Sequence, residues 1–337
     1  MRTMMPGGDP HFLAHAAIAR DELRRLHRRW RDLREQIRRR LAARFVSDRD
    51  YLSSLHRREF GRMPDLDHPR GFNEKIIVKI LHDRRPYLTL FSDKLRVREH
   101  VRLNAPELSL AKLYWWSGRA ADFPFDSLPV SFALKANHGS GWNTLVPHKS
   151  AVSGPALIDT AQRWLASDFT IVGREWSYRN IHRAVYAEEL LRGADGMSPP
   201  DYKLFVFKGR VRVIQVDEGR FSDHTQVLYD ERWNVIDGAV AARPGRPVPP
   251  PDALSIMIGA AEAASLGVDF VRVDLYLVGE RIVFGEMTNS PNKGVSPFRP
   301  ASLDALFGDL LRLDDYATEG PAVRYSKVVA ESPSLQP

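Results

Sequence analysis

Between Asp269 and Met287 the chain reads DFVRVDLYLVGERIVFGEM, two runs of alternating character around Gly279 and Glu280. Val271, Val273, Leu275 and Leu277 fall on one side of the first run, and Arg272, Asp274 and Tyr276 on the other. Side chains alternate across a strand, so the segment predicts a hairpin with one apolar and one polar face. With a three-residue loop, Gly279-Glu280-Arg281, Asp274 lies directly opposite Glu286, their Cβ atoms about 5 Å apart. With a two-residue loop the two carboxylates fall on opposite faces. Facing carboxylates repel unless a cation lies between them. Together with the amide oxygen of Asn289 they suit a hard, oxygen-seeking ion such as Mg²⁺. Arg272 shares the face of Asp274. The bland alternative is a solvated hairpin with surface acids.

The remaining segments organise around this hairpin. DYKLFVFKGRVRVIQVD (201–217) predicts a second one, turning at Lys208-Gly209, and ALSIMIGAAEAASLG (253–267) a helix ended by Gly267. FNEKIIVKILH (72–82) and FSDKLRVREHVR (91–102) read as helices opened by Asn73 and Ser92. PALIDTAQRWLAS is helical, between short strands in FALKA and AVYAEELL. Helices and hairpins in this mixture give an α+β class. The divisions fall at 1–60 (basic and helical), 61–130, 131–191 (a small lobe), 192–320 (a larger lobe) and 321–337 (a loose tail).

FALKANHGSGWNT (132–144) places a lysine at a strand end and two glycines just after it. Gly139 and Gly141 permit backbone angles that aim successive N–H groups at one anion. Ser140 and His138 add side-chain donors, and Lys135 a full charge. The order is not that of a Walker A loop, where lysine follows the glycines, and only two of the three dinucleotide-fingerprint glycines exist. A structural turn with an exposed lysine explains the stretch equally well. With Lys203 in DYKLF and the hairpin carboxylates, the simplest common object is Mg-ATP held between two lobes. AVYAEELL would then link the lobes, with Glu188 or Glu189 taking the adenine amino group.

At this point the chain resembles the ATP-grasp superfamily, and within it the TupA-like branch named for teichuronopeptide biosynthesis. The resemblance is carried by FNEKI, SDKLRVREHV, LPVSFALKANHGSG, AEELL, DYKLFVFKG, VRVDLY and FGEMT, in family order from about residue 72 to 290. It implies an ATP-grasp fold, two α/β lobes sandwiching ATP behind the basic N-terminal segment. It further implies that Lys94 and Lys135 contact phosphates and that His138, Gly139, Ser140 and Gly141 form the loop closing over them. Glu188 is then the adenine contact, flanked by Glu189, Leu190 and Leu191. Asp195 holds the ribose, with Asp201 as rival, and Lys203 is a phosphate-side lysine of the larger lobe. Asp274 and Glu286 are the Mg²⁺ carboxylates. Many members carry Glu-x-Asn, whereas this chain has EMTN, so the third ligand is Thr288 or, through a bulge, Asn289. The implied reaction is carboxylate–amine ligation through an acyl phosphate, with Arg272 and Lys203 catalytic and a cell-surface polymer or its precursor as the substrate. A phosphotransferase acting on a hydroxyl and a non-catalytic scaffold for an acidic glycan or membrane are the rival readings.

The formal net charge of +7 lies in one place: residues 20–44 hold eleven arginines and four acids, and the rest of the chain is neutral. Leu23, Leu26, Trp30, Leu33, Ile37, Leu41 and Phe45 recur at helical spacing, so the segment reads as one amphipathic helix outside the resemblance. Either its arginine face is merely solvated or it docks on an acidic polymer, an anionic membrane or a second copy. Nucleic acid is disfavoured, since neither a repeated aromatic–basic interleaving nor a known binding motif accompanies the arginines. There are no cysteines, which excludes disulfides and thiolate chemistry. No signal-like or membrane-spanning run is present, giving a cytoplasmic expectation, peripheral to the membrane if the helix docks there.

Overall fold

The computed structural model describes residues 45–313 together with Arg34 and Leu41, but not Ala194, residues 220–222 or Ala241. The helix expected over 20–44 otherwise lies outside the described residues, as does the tail over 321–337. In chain order the elements are α1 (Asp48–Phe60), α2 (Phe72–His82), α3 (Tyr87–Ser92), α4 (Val97–Asn104), β1 (Ser109–Leu110) and β2 (Leu113–Ser117). Then come β3 (Phe132–Ala136), β4 (Asn143–Val146), α5 (Gly154–Ala166), α6 (Phe169–Gly173) and β5 (Val185–Glu188). The C-terminal half holds β6 (Asp201–Phe207), β7 (Arg210–Glu218), β8 (Thr225–Tyr229), β9 (Val235–Ile236), β10 (Ala239–Val240) and β11 (Arg243–Pro244). It ends with α7 (Leu254–Ser265), β12 (Phe270–Val278), β13 (Arg281–Thr288), β14 (Phe298–Arg299) and α8 (Ser302–Leu310).

An eight-stranded sheet runs β1-β13-β12-β6-β7-β8-β11, with β9 on β8, and a four-stranded antiparallel sheet runs β2-β5-β3-β4. In the large sheet only β1 and β11 join in parallel. The α+β class expected from the segment pattern is the class observed. The lobe boundary drawn at residue 131 is crossed, because β2 pairs with β5 and so belongs to the small sheet.

The two faces of the large sheet explain where a site can lie. Leu204, Val206, Ile214, Val216, Val271, Val273 and Leu275 form one face, wholly buried with residues of α3, α4 and α7. On the other face, Phe205, Phe207, Val213 and Phe270 are covered from α2 and α8 by Phe72, Ile76 and Phe307. Phe72 is the hub of that cover, its ring 5.1–6.5 Å from those of Phe205, Phe207, Phe270, Phe298 and Phe307. Two residues further along the same strands the apolar row ends. Lys203 and Asp201 continue from Phe205, Gln215 and Asp217 from Val213, and Arg272 and Asp274 from Phe270. The polar end of this face is therefore set by strand periodicity alone.

Two helix starts differ from expectation. Ser92 ends α3 instead of opening α4. Asp93 caps the turn that leads into α4, its Oδ1 accepting the N–H groups of Leu95 and Arg96, while α4 itself starts at Val97 with no side-chain cap. A carboxylate accepts these donors more strongly than a hydroxyl. Asn73 lies inside α2 and bonds Ser296 through its amide, while Glu74 reaches back to the N–H groups of Arg70 and Gly71.

Candidate active site

The hairpin carboxylates do meet, by a route other than the three-residue loop. Val278 pairs with Arg281, so the loop has two residues, Gly279 and Glu280. That register alone would put Asp274 and Glu286 on opposite faces. A bulge restores them: Leu275 pairs with Phe284 and Asp274 with Glu286, leaving Gly285 as the extra residue. A Cβ at Gly285 would lie 2.9 Å from the Tyr276 ring and 3.0 Å from the Asp274 carbonyl oxygen, so only glycine fits this close approach.

Arg272 braces the pair. Its Nε and one terminal nitrogen donate to both oxygens of Asp274 at 2.6 and 2.7 Å, and the same nitrogen reaches Thr288 Oγ1 at 3.1 Å and Glu286 at 3.7 Å. Asp274 is 3% exposed, and burial raises its pKa to about 6, with the charge of Asp201 adding to the rise, against the pull of Arg272 and Lys203. Thr288 shares the Glu286 side, 3.4 Å from that carboxylate. Asn289, expected with the carboxylates, is turned away: its amide nitrogen donates to Leu88 O and Ser92 Oγ of α3, which packs on the opposite face. Among the described residues no three His, Asp or Glu side chains gather as a metal cage.

Lys203 pairs in register with Asp274 across β6 and β12. Its ammonium is held by Asp201 and, at 2.6 Å, by Asp217, which Gln215 and Gln226 also serve. Asp201 is thus buried in this network. Asp195, its rival for a ribose, is exposed and accepts the Met197 N–H in a turn.

Lys94, between α3 and α4, donates to the Gly139 carbonyl at 2.7 Å and stands 3.9 Å from Glu286. One lysine thus touches the glycine loop and approaches the carboxylate pair, which joins the two ends of the sequence reading. Burial lowers its pKa, against the opposing charge of Glu286. Ser140 and Gly141 are exposed at the loop tip. Gly139 is buried, and a Cβ there would overlap the Trp142 ring at 2.4 Å. His138, expected among the donors of the loop tip, is 2% exposed and placed at its base, with Nε2 3.0 Å from Trp164 O and Nδ1 3.0 Å from Asn137 Oδ1.

Lys135 donates to Glu188 at 2.6 Å, and Arg98 holds the other Glu188 oxygen at 3.2 Å. Glu189 ties the strand end to the large sheet through Arg281 at 2.8 Å and accepts the Lys112 N–H. Leu190 and Leu191 follow, half-buried. Sequence reasoning missed Arg98, although it lies four residues after Lys94 in the same segment. It also missed Tyr178, half-buried, and Tyr186, buried, whose phenols both lie in the field of Glu286. No periodicity marks those two; only the folded chain brings them to the site.

The TupA-like ATP-grasp family model matches residues 74–312. No curated protein matches the chain. Among solved structures, a D-alanine–D-alanine ligase from Bacillus anthracis matches at 16% identity and a TM-score of 0.41, over 66% of this chain and 65% of that one. An L-amino acid ligase from Bacillus licheniformis matches at 14% and 0.42, over 70% and 54%. The ATP-grasp ligase PsnB, solved with a minimal precursor, Mg and ADP, matches at 13% and 0.35, over 71% and 60%. The chain thus spans just under two thirds of the first of these proteins. The family match reaches from the start of α2 to beyond α8 and takes in every residue of the carboxylate hairpin and the glycine loop: the chain belongs to the TupA-like ATP-grasp family.

Proposed function

We propose that this chain is an ATP-dependent carboxylate–amine ligase. The observation that carries the reading is the pairing of Asp274 with Glu286 beneath Arg272, with Lys94 bridging toward them from the glycine loop. Two carboxylates are too few for a protein-made metal cage, and they are what Mg²⁺ uses when phosphate oxygens and water complete its shell. Asp274 and Glu286 would hold the ion, which neutralises phosphate charge when bound. Thr288 replaces Asn289 in the third place of the motif.

The chain's own residues do the rest by placement and charge. Lys94 and Lys135 face the phosphates, and Lys135 exchanges Glu188 for the nucleotide. The backbone edge at Glu188–Leu191 receives the adenine. Asp195, exposed in its turn, is the candidate for the ribose side, and Asp201, buried against Lys203, is its rival. Arg272 steadies the transferring phosphoryl group. Moving that group onto a carboxylate makes an acyl phosphate, and the amine then displaces phosphate to give an amide. The carboxylate or amine is a unit of a cell-surface polymer or its precursor, and the enzyme works on the cytoplasmic side of the membrane.

The test is ADP release across a matrix of carboxylates and amines, with hydroxylamine as a trap for acyl phosphate. ATP- and carboxylate-dependent hydroxamate, or an amide, supports the ligase. A phosphate ester formed on a hydroxyl without any amine replaces it with a phosphotransferase. ATP binding with no turnover across the matrix leaves a scaffold.

A further inference from the structure

Where the chain leaves β13, against Glu175 and Trp176, lies a cavity of about 20 Å³, room for one water-sized group. Its wall includes Glu175, Asn289, Ser290, Asp83 and Lys79. Two features of that wall call for a donor. Asn289 is 6% exposed, and its Oδ1 has no hydrogen-bond partner. The orientation of the amide is fixed, since its nitrogen donates to the Leu88 carbonyl, which can only accept. Glu175 is 7% exposed and accepts a hydrogen bond from the Ser290 hydroxyl; among the described residues no cation stands at ion-pair distance from it. Lys94 and Lys293 act on it only at longer range, and burial raises its pKa.

The nearest cations are engaged elsewhere. Lys79 and Arg85 face Asp83 and Asp269, and Arg84 lies over the Trp176 ring. When ionised, Glu175 is a buried negative charge with only a hydroxyl at bonding distance, which is costly unless a cation joins it. A water would supply hydrogen bonds but no charge. A metal cation would need more oxygens than the cavity wall offers. An ammonium group has one charge, three N–H donors and nothing to accept with. Glu175, Asn289 Oδ1 and the Ser290 oxygen offer it three acceptors.

We propose that the cavity between Glu175 and Asn289 binds an ammonium group. Asn289 and Ser290 of its wall follow Glu286 by three and four residues in the chain. That the ammonium is the acceptor's nitrogen rests on the ligase reading; that the cavity binds ammonium does not. The group has two sources, free ammonium ion or the end of a primary amine.

The test is thermal unfolding of the full chain at matched ionic strength in ammonium, methylammonium, potassium and tetramethylammonium chlorides. A ligand that binds only the folded state raises the midpoint, here by about 2 °C or more over tetramethylammonium. A rise with ammonium alone supports the free ion; a rise with methylammonium as well supports the end of a larger amine. Glu175→Gln should abolish the difference, and Ser290→Ala should reduce it. Equal midpoints in all four salts overturn the proposal, as does potassium matching ammonium or Glu175→Gln keeping the full shift. The wild-type comparison stands even where a variant fails to fold. The readout is binding without turnover, so a missing ligase activity and a missing ammonium site are separate results.

Discussion

Asp274 carries two burdens that a single substitution separates. It is buried, and its folded pKa of about 6 exceeds the ordinary 3.8. A raised acid pKa adds stability that is fully present below the ordinary value and is lost as pH rises through the folded one. Between about pH 4 and pH 6 the wild type should therefore lose stability through this residue, and Asp274→Asn should flatten that slope in urea titrations. The same change removes a charge at the reacting end of the site, so turnover should be abolished while the folded baseline persists. Near-normal ATP turnover in Asp274→Asn would remove Asp274 from the metal role. Asp269 belongs to a different class. It is fully buried between Lys79 and Arg85 and does no chemistry in this scheme. Asp269→Asn strands buried cations and should cost about 3–5 kcal/mol in chemical denaturation.

The β12–β13 hairpin shows what an element adds to its residues. Gly285→Ala puts a methyl group against Tyr276 and the Asp274 carbonyl, so the bulge must open. The expected result is about 1–3 kcal/mol of destabilisation, with nucleotide binding by calorimetry lost beyond what instability explains. The start of α2 offers a second case. Burial of Glu74 works against ionisation, but Arg62 and the N–H groups of Arg70, Asp65 and Gly71 outweigh it and hold its pKa below 4.5. That support is full above pH 4.5 and is lost as pH falls through the lowered value, so Glu74→Gln should blunt the acid limb of unfolding. Alternation made both hairpins and their polar face legible in the sequence, down to the turn at Lys208-Gly209, where both residues have positive φ. The bulge was not legible, because loop length and strand slip give the same facing pair and sequence period cannot separate them. Ser92 lost its cap role to Asp93 for a similar reason: adjacent residues both suited to capping differ only in where the preceding helix stops.

At the scale of the whole molecule, the net charge and the family match occupy different stretches of the sequence. All of the formal +7 lies in residues 20–44, whereas the family match begins at residue 74. Among the described residues no helix is long and apolar enough to cross a membrane. If the proposed substrate is a polymer built at a membrane, the proposed ligase needs another way to stay near it. Eleven arginines within residues 20–44, among apolar residues at helical spacing, suit an anionic surface. Such attraction is long-ranged only in dilute salt, the screening length falling from about 10 Å at 0.1 M to about 3 Å at 1 M. Full-length protein should therefore co-sediment with vesicles rich in anionic lipid at low salt and be released at high salt. Replacing Arg24, Arg28, Arg31 and Arg38 with glutamine should weaken that binding several-fold while ATP affinity stays unchanged, since no proposed nucleotide contact lies before Lys94. Retention on neutral vesicles, or equal binding by the substituted protein, would reduce the arginines to a solvated face and leave the ligase to find its substrate by diffusion.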